Sequence, residues 1–554
     1  MIKEVVLRRF KQFENTLLEL SGHVVLAGQN NSGKTTVLQA LSAWSLGHEQ
    51  WRTLSDLQKH NGAYARKPIT RQAFSAVPLR SFELLWRDRN YTGTVEIEVA
   101  TEAGWRLAME FEADSTEQVY ARPARTTPRQ VLDQPAPALV YVSSIDGLEI
   151  EEPAINNPDW IRTLLGRQRP GSILRNLLLE VSRTPRWDDL RASVRKLFGI
   201  ELLVPQTPGG QIICEFQSVG KPYHLDVLSA GSGLHQVLLL LACLYTRAGS
   251  VLLIDEPDAH LHVYLQDTIF SELRQVAAKT NSQVILATHS EVIFRSVPPE
   301  NLVVMLGTPR RLASVAEREQ LAKAMGILEQ VDIINAVSAP GILYCEGNTD
   351  LNLMRVWAEK LGHATARFLD REPFWKPQVM EARTGAPSVK AQEHFNALKL
   401  VRNNLTVIWL LDSDGKAQNI QPTPSPQPGA LNRLVWRRYE TESYLLHPAA
   451  LARFVHKKTG HDAAADVQQF FANRFGAELT KAFLAQPFAP PDLVENYFRT
   501  TKARTEIVSA LLQECGIHGL DYTFFDEIAA VMQPAEIHPE VNEKLDFIQG
   551  AFGL

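Results

Sequence analysis

The most constraining feature of this chain is Gly28-Gln-Asn-Asn-Ser-Gly33-Lys34-Thr35. It follows the apolar run Val24–Ala27 and precedes a helix-like stretch at 36–44. A glycine-bounded loop between a strand and a helix turns backbone N–H groups and the helix N-terminus toward one point, which makes an anion cradle. It also dictates architecture, because a strand followed by a crossover helix belongs to a parallel sheet. Gly28, Asn30, Asn31, Ser32, Gly33, Lys34, Thr35 and Thr36 are the expected phosphate contacts. Lys34 would meet the β- and γ-phosphates, and the Thr35 hydroxyl would ligate Mg2+.

Two later strands supply matching chemistry. Val251-Leu-Leu-Ile-Asp255-Glu256 ends an apolar strand in adjacent carboxylates. Asp255 is placed to hold the metal, and Glu256 to polarise an attacking water. His289 follows the strand-like run 284–287 and is placed to sense a γ-phosphate. Leu228-Ser229-Ala230-Gly231-Ser232-Gly233 resembles the signature of ABC-type ATPase heads, with Ala230 where a glycine is usual. That resemblance implies that Ser229 and Gly231 contact ATP bound by a second subunit, hence a dimer. About 200 residues separate loop and signature without sustained heptads. This excludes a long coiled-coil insertion and leaves a compact head, RecF/SMC-head-like.

A second group of acids follows. Glu346 ends the apolar run Ile342–Cys345, while Asp412 and Asp414 end another at 406–411. In one parallel sheet both strand ends open on the same edge, giving hard oxygen ligands for Mg2+ or Mn2+. This arrangement resembles the Toprim domain. Arg437-Arg-Tyr-Glu440-Thr-Glu442-Ser-Tyr444 adds to the likeness, with Ser443 where the family has asparagine. The resemblance implies that Asp350 and either Glu440 or Glu442 hold a second metal. It also implies that Lys502 steadies the phosphate in transition, alongside the catalytic Glu346 and Asp412.

At 554 residues the chain exceeds a single core. Its net charge of −5 leaves nucleic-acid contact to local basic groups. Candidates are Arg433, Arg437, Arg438, Arg453, Lys457, Lys458, Arg499 and Arg504, and in the insert Arg183, Arg186, Arg191, Arg195 and Lys196. Four dispersed cysteines read as buried thiols in a reducing compartment. The longest apolar run, 237–245, is too short to cross a bilayer, so a cytoplasmic protein is expected.

Taken together, the chain resembles the OLD (overcoming lysogenization defect) family, an ABC-type ATPase fused to a Toprim nuclease. The expected fold class is α/β throughout. An ATPase domain spans 1–305, with a helical insert at 146–226 as candidate dimerisation element. A linker (306–340), a Toprim domain (341–450) and a helical region (451–554) follow. Residues 121–137 read as a surface loop and 421–429 as an extended proline-rich excursion. The resemblance implies ATP, Mg2+ or Mn2+, DNA as substrate, a homodimer or larger assembly, and a role in antiphage defence. Relatives act alone or beside a helicase-like (Gabija) or reverse-transcriptase (retron) partner. Two rivals stand: a RecF-like DNA clamp without cleavage, and a Toprim RNase acting on tRNA.

Overall fold

The computed structural model describes Met1 to Leu554 except residues 78, 146, 158–159, 162–163, 166–168, 219, 260, 371–374, 378–390, 416–424 and 520–522. It divides into two compact units, Met1–Ala322 and Lys323–Leu554.

The first unit is built on two six-stranded sheets. One is antiparallel, ordered Phe13–Glu19, Ile2–Phe10, Val95–Thr101, Arg106–Ala113, Gln118–Pro123, Lys67–Thr70. The other is ordered Leu139–Val142, Val251–Asp255, Gln283–Thr288, Val24–Ala27, Leu302–Val304, Arg310–Arg311, and is parallel except for its last pair. Its central strands are continuous apolar runs, because both faces are covered. Helix Lys34–Trp51 packs against strands of both sheets, so its apolar residues nearly encircle it. Trp44 is wholly buried and donates its indole N–H to Leu107 O at 2.9 Å. The buried amide of Gln283 ties the sheets together: Nε2 lies 2.6–2.9 Å from the carbonyls of Ile2, Leu20 and Gly22, and Oε1 accepts from Ile2 N.

Three expectations change in detail. The insert is only partly helical. Helices Leu174–Ser182 and Trp187–Phe198 are followed by a three-stranded antiparallel sheet, Ile200–Leu202, Glu215–Ser218 and Leu225–Asp226. The expected loop at 121–137 begins inside strand Gln118–Pro123, where Val119 and Ala121 add to the core, and contains helix Arg129–Leu132. Residues 306–340 hold strand Arg310–Arg311 and helices Val315–Ile327 and Gln330–Ser338, and the chain passes from one unit to the other at 322–323.

The second unit carries a wholly parallel four-stranded sheet, ordered Trp375–Pro377, Ile342–Cys345, Val407–Leu411, Leu431–Val435. The first strand in sequence lies inside the sheet, so successive connections leave it in opposite directions. That creates a topological switch point between Ile342–Cys345 and Val407–Leu411. Helices Asn348–Leu361 and Pro539–Phe552 join a core containing Leu343, Met354, Trp357, Trp436, Tyr444 and Ile548. Among the described residues beyond 447, helices run from Pro448–Thr459 to Pro539–Phe552 and include a π-helix at Ala503–Val508. The proline-rich stretch lies outside the described residues through 424.

Candidate functional site

The phosphate loop is shaped by two glycines that accept no side chain. Gly33 has φ +98°, and a Cβ there would meet Gln12 Nε2 at 2.4 Å and Phe13 Cζ at 2.7 Å. At Gly28 a Cβ would lie 2.9 Å from Met305 O. Lys34 is buried and donates to the loop carbonyls Gly28 O and Gln29 O, both at 2.9 Å. Burial lowers the Lys34 pKa, opposed by the charges of Glu256, Asp255 and Asp258. Ser32 Oγ is buried without a hydrogen-bond partner, and Asn30 and Asn31 are exposed on the rim. An orphaned hydroxyl in a loop just before a helix N-terminus fits a phosphate oxygen. Thr36 Oγ1 sits 3.4 Å from Gln12 Oε1.

The parallel sheet brings the later residues to the same edge, since Val24–Ala27, Val251–Asp255 and Gln283–Thr288 all run toward it. Thr35 Oγ1 donates to Asp255 Oδ1 at 2.9 Å, and Tyr141 Oη donates to Asp255 Oδ2 at 2.7 Å. Burial raises the Asp255 pKa, against the two hydroxyl hydrogen bonds that favour its ionised form. Glu256 adopts φ +48°, a conformation costly for a non-glycine residue, and its carboxylate lies 3.5 Å from His289 Nδ1. Ser229 and Gly231 are exposed. No hydrogen bond or ion pair among the described residues links them to this cluster. Ser229 donates to Asp226 O at 2.7 Å, and Gly231 caps helix Ser232–Thr246.

In the second unit, Glu346 and Asp412 lie at the switch point, and Asp412 N–H donates to Glu346 Oε1 at 3.3 Å. Asp350 caps its own helix, accepting from Gly347 N–H at 3.0 Å. Its other oxygen receives the Thr441 hydroxyl at 2.7 Å, while Thr441 N–H donates to Asp412 Oδ1 at 2.9 Å. Asp414 turns back at φ +49° and donates its N–H to Tyr439 O. Glu440 and Glu442 are buried. Glu440 Oε1 accepts from Arg504 N–H at 2.6 Å, and the Arg504 guanidinium lies 3.8 Å from Glu442. Lys502 holds its ammonium 5.9 Å from the Tyr439 ring.

Crowding of acids marks this cluster electrostatically. Burial, then Asp350, Glu346, Glu442 and Glu440, push the Asp412 pKa up to about 9. Burial, then Glu440 and Asp350, push Glu442 up to about 7. Burial foremost also raises Glu346, Asp350 and Glu440. An all-oxygen donor set that resists ionisation is chemically suited to a hard divalent cation. Even so, no group of three or more His, Cys, Asp or Glu among the described residues is arranged to hold a metal ion as it stands.

The expected basic surface largely dissolves. Arg437 pairs with Glu543, buried Arg438 with Glu495, Arg453 with Glu536, Lys458 with Glu527 and Arg499 with Glu495. In the insert Arg191 and Arg195 pair with Glu201 and Lys196 with Glu272, and Arg183 is exposed. Two contributors were not foreseen, Tyr141 and Thr441, while Arg504, expected as a nucleic-acid contact, faces Glu440 and Glu442. Thr441 stands between two singled-out acids, which is a usable signal; Tyr141 ends an ordinary apolar strand and carries none.

Residues 216–295 match a family model described as "AAA domain, putative AbiEii toxin, Type IV TA system". The match spans the signature loop, Asp255, Glu256 and His289. No curated protein matches the chain in sequence. Among solved structures, an SMC head bound to the C-winged helix domain of ScpA is similar at 15% identity, covering 57% of this chain and 99% of that one, TM-score 0.37. A Pyrococcus furiosus SMC head domain with an extended coiled coil, bound to the C-terminal domain of ScpA, has 13% identity, coverage of 59% and 99%, TM-score 0.36. The Thermotoga maritima SMC head domain has 16%, 56% and 99%, TM-score 0.33. The first unit is an ATPase unit of the AAA/ABC type, on the family match and the site geometry.

Proposed function

We propose that the chain is an ATP-hydrolysing, divalent-metal-dependent nuclease that nicks or cleaves DNA. It would be an OLD-like fusion of an ABC-type head with a Toprim-type unit, acting in the bacterial cytoplasm in antiphage defence. In the first unit Lys34 and the loop N–H groups bind the phosphates. Asp255 and Thr35 hold Mg2+, and Glu256 accepts a proton from the attacking water. His289, 3.5 Å from Glu256, orients that carboxylate toward the γ-phosphate. The exposed Ser229 and Gly231 face the nucleotide of a second copy, which favours a homodimer or larger assembly.

In the second unit Glu346, Asp412 and Asp414 would hold Mg2+ or Mn2+, with Asp350 and Glu440 or Glu442 at a second position. The cation would supply an activated water and charge for the leaving oxygen. Thr441 fixes Asp350 and Asp412 relative to each other. Lys502 and Arg504 bring positive charge to the rim, where a phosphodiester must approach. The observation that carries this reading is the meeting of Glu346 and Asp412 at the switch point of a parallel sheet.

The test is incubation of purified protein with plasmid and with total tRNA, in Mg2+ or Mn2+. Plasmid cleavage lost in Asp412→Ala, with ATP turnover intact, is the expected result. Cleavage of tRNA alone would transfer the activity to RNA. ATP hydrolysis with neither substrate cut would sink the nuclease. The non-cutting DNA clamp would then stand, a reading favoured by the absence of a ready ligand set among the described residues.

A further inference from the structure

The phosphate-loop chemistry accounts for Thr35, Asp255, Glu256 and His289, but not for a tyrosine on the neighbouring strand. Leu139–Val142 runs parallel to Val251–Asp255, with Tyr141 opposite Leu253. Alternation along a strand puts Leu253 and Asp255 on one face, so Tyr141 points to the same side as the carboxylate. Its hydroxyl donates to Asp255 Oδ2 at 2.7 Å, while Thr35 Oγ1 donates to Oδ1 at 2.9 Å. Both carboxylate oxygens are thus fixed, and the plane of the group is set.

The two restraints are not equivalent. Thr35 sits at the start of the helix behind the loop, and its hydroxyl oxygen is the atom wanted by the nucleotide's cation. A lone pair of that oxygen can meet the cation while its O–H goes on donating to Asp255 Oδ1, whereas Tyr141 holds Oδ2 from the neighbouring strand. Tyr141 also lines a cavity of about 500 Å3, with Ser42, Leu46, Phe74 and Leu139 in the wall, and is otherwise buried in the core.

We propose that Tyr141 is a positioning residue for ATP hydrolysis, holding Asp255 in the orientation that receives the Mg2+ of the bound nucleotide. It rests on the ATPase reading of the first unit. Phenylalanine fits the same space, so Tyr141→Phe removes the hydroxyl and its hydrogen bond to Asp255, and losing one bond to a carboxylate is worth roughly ten-fold.

The experiment compares wild type, Tyr141→Phe and Lys34→Ala in ATP turnover, in binding of a fluorescent ATP analogue across a Mg2+ titration, and in thermal melting. In Tyr141→Phe, kcat should fall about ten-fold with the KM for ATP within about two-fold, and half-saturation by Mg2+ in the binding assay should rise. Analogue binding without Mg2+, and the melting temperature, should match wild type. Unchanged kcat and Mg2+ half-saturation would overturn the proposal. So would a fall in melting temperature with analogue affinity lost equally with and without Mg2+, since that is a packing defect. Wild type as inactive as Lys34→Ala would instead remove the ATPase reading, leaving the Mg2+ titration to judge Tyr141 by itself.

Discussion

Asp412 is where residue chemistry speaks most directly. Its carboxyl ionises near the usual 3.8 when unfolded and at about 9 in the fold, because burial and four neighbouring acids oppose its charge. Between those values the native state holds a proton that the unfolded state has released. The native state binds more protons there, so stability falls as pH climbs from about 4 to about 9. Asp412→Asn removes that penalty. In chelator it should raise the melting temperature by at least about 2–4 °C more at pH 8 than at pH 5, because the penalty grows with each pH unit above the unfolded value. Equal gains at the two pH values would refute the electrostatic origin. Arg504 offers the converse: its guanidinium, 3.8 Å from Glu442, offsets the acids. Arg504→Gln should melt earlier in chelator, and added Mn2+ should recover more of its melting temperature than wild type gains. A loss of equal size with and without Mn2+ would make the arginine structural. Glu346 and Asp412 stand out in the sequence because each ends an apolar run, whereas Asp350, Glu440 and Glu442 are implied only by the Toprim resemblance. Tyr141 and the pairing of Arg504 with Glu442 were not legible, because they come from contacts across 114 and 62 positions, which no local pattern encodes.

At the scale of elements, strand–loop–helix units were the most readable parts. Val24–Ala27 is the strand observed, and the helix behind it only runs longer than the periodicity suggested, to Trp51. The insert was read less well. Its short strands, two to four residues each, lack the length for alternation to show beside two clear helices. Basic clusters misled for a different reason, since counting arginines says nothing of the glutamates that return from distant helices to meet them. The phosphate loop yields the sharpest test at this scale. Gly33→Ala imposes a left-handed conformation costing about 1–2 kcal/mol, plus a clash with Phe13. ATP affinity should drop about 10- to 100-fold in equilibrium binding, with the overall far-UV spectrum unchanged. Retention of wild-type affinity would mean that the loop rearranges to admit a side chain.

For the whole molecule, the division into two units, each with its own parallel sheet and acid-lined edge, matters more than net charge. The sequence displayed both edges but could not show how either is completed. Completion of the ATP site poses the larger question, because Ser229 and Gly231 are exposed and unlinked to their own chain's phosphate loop among the described residues. If a second copy supplies them, each site is composite, with the loop from one chain and the signature from the other. Lys34→Ala spoils the loop half and Ser229→Arg the signature half, and each variant alone should be inactive. In a mixed dimer, one site takes the sound loop of the serine variant and the sound signature of the lysine variant. The other site takes both defects. With random exchange half the dimers are mixed, and each has one working site of two, so mixing should restore about a quarter of wild-type ATP turnover. Recovery should follow the dilution dependence of association, since it requires two chains. Two inactive variants that stay inactive at every ratio, although sedimentation shows them exchanging subunits, would mean that the signature loop serves its own chain.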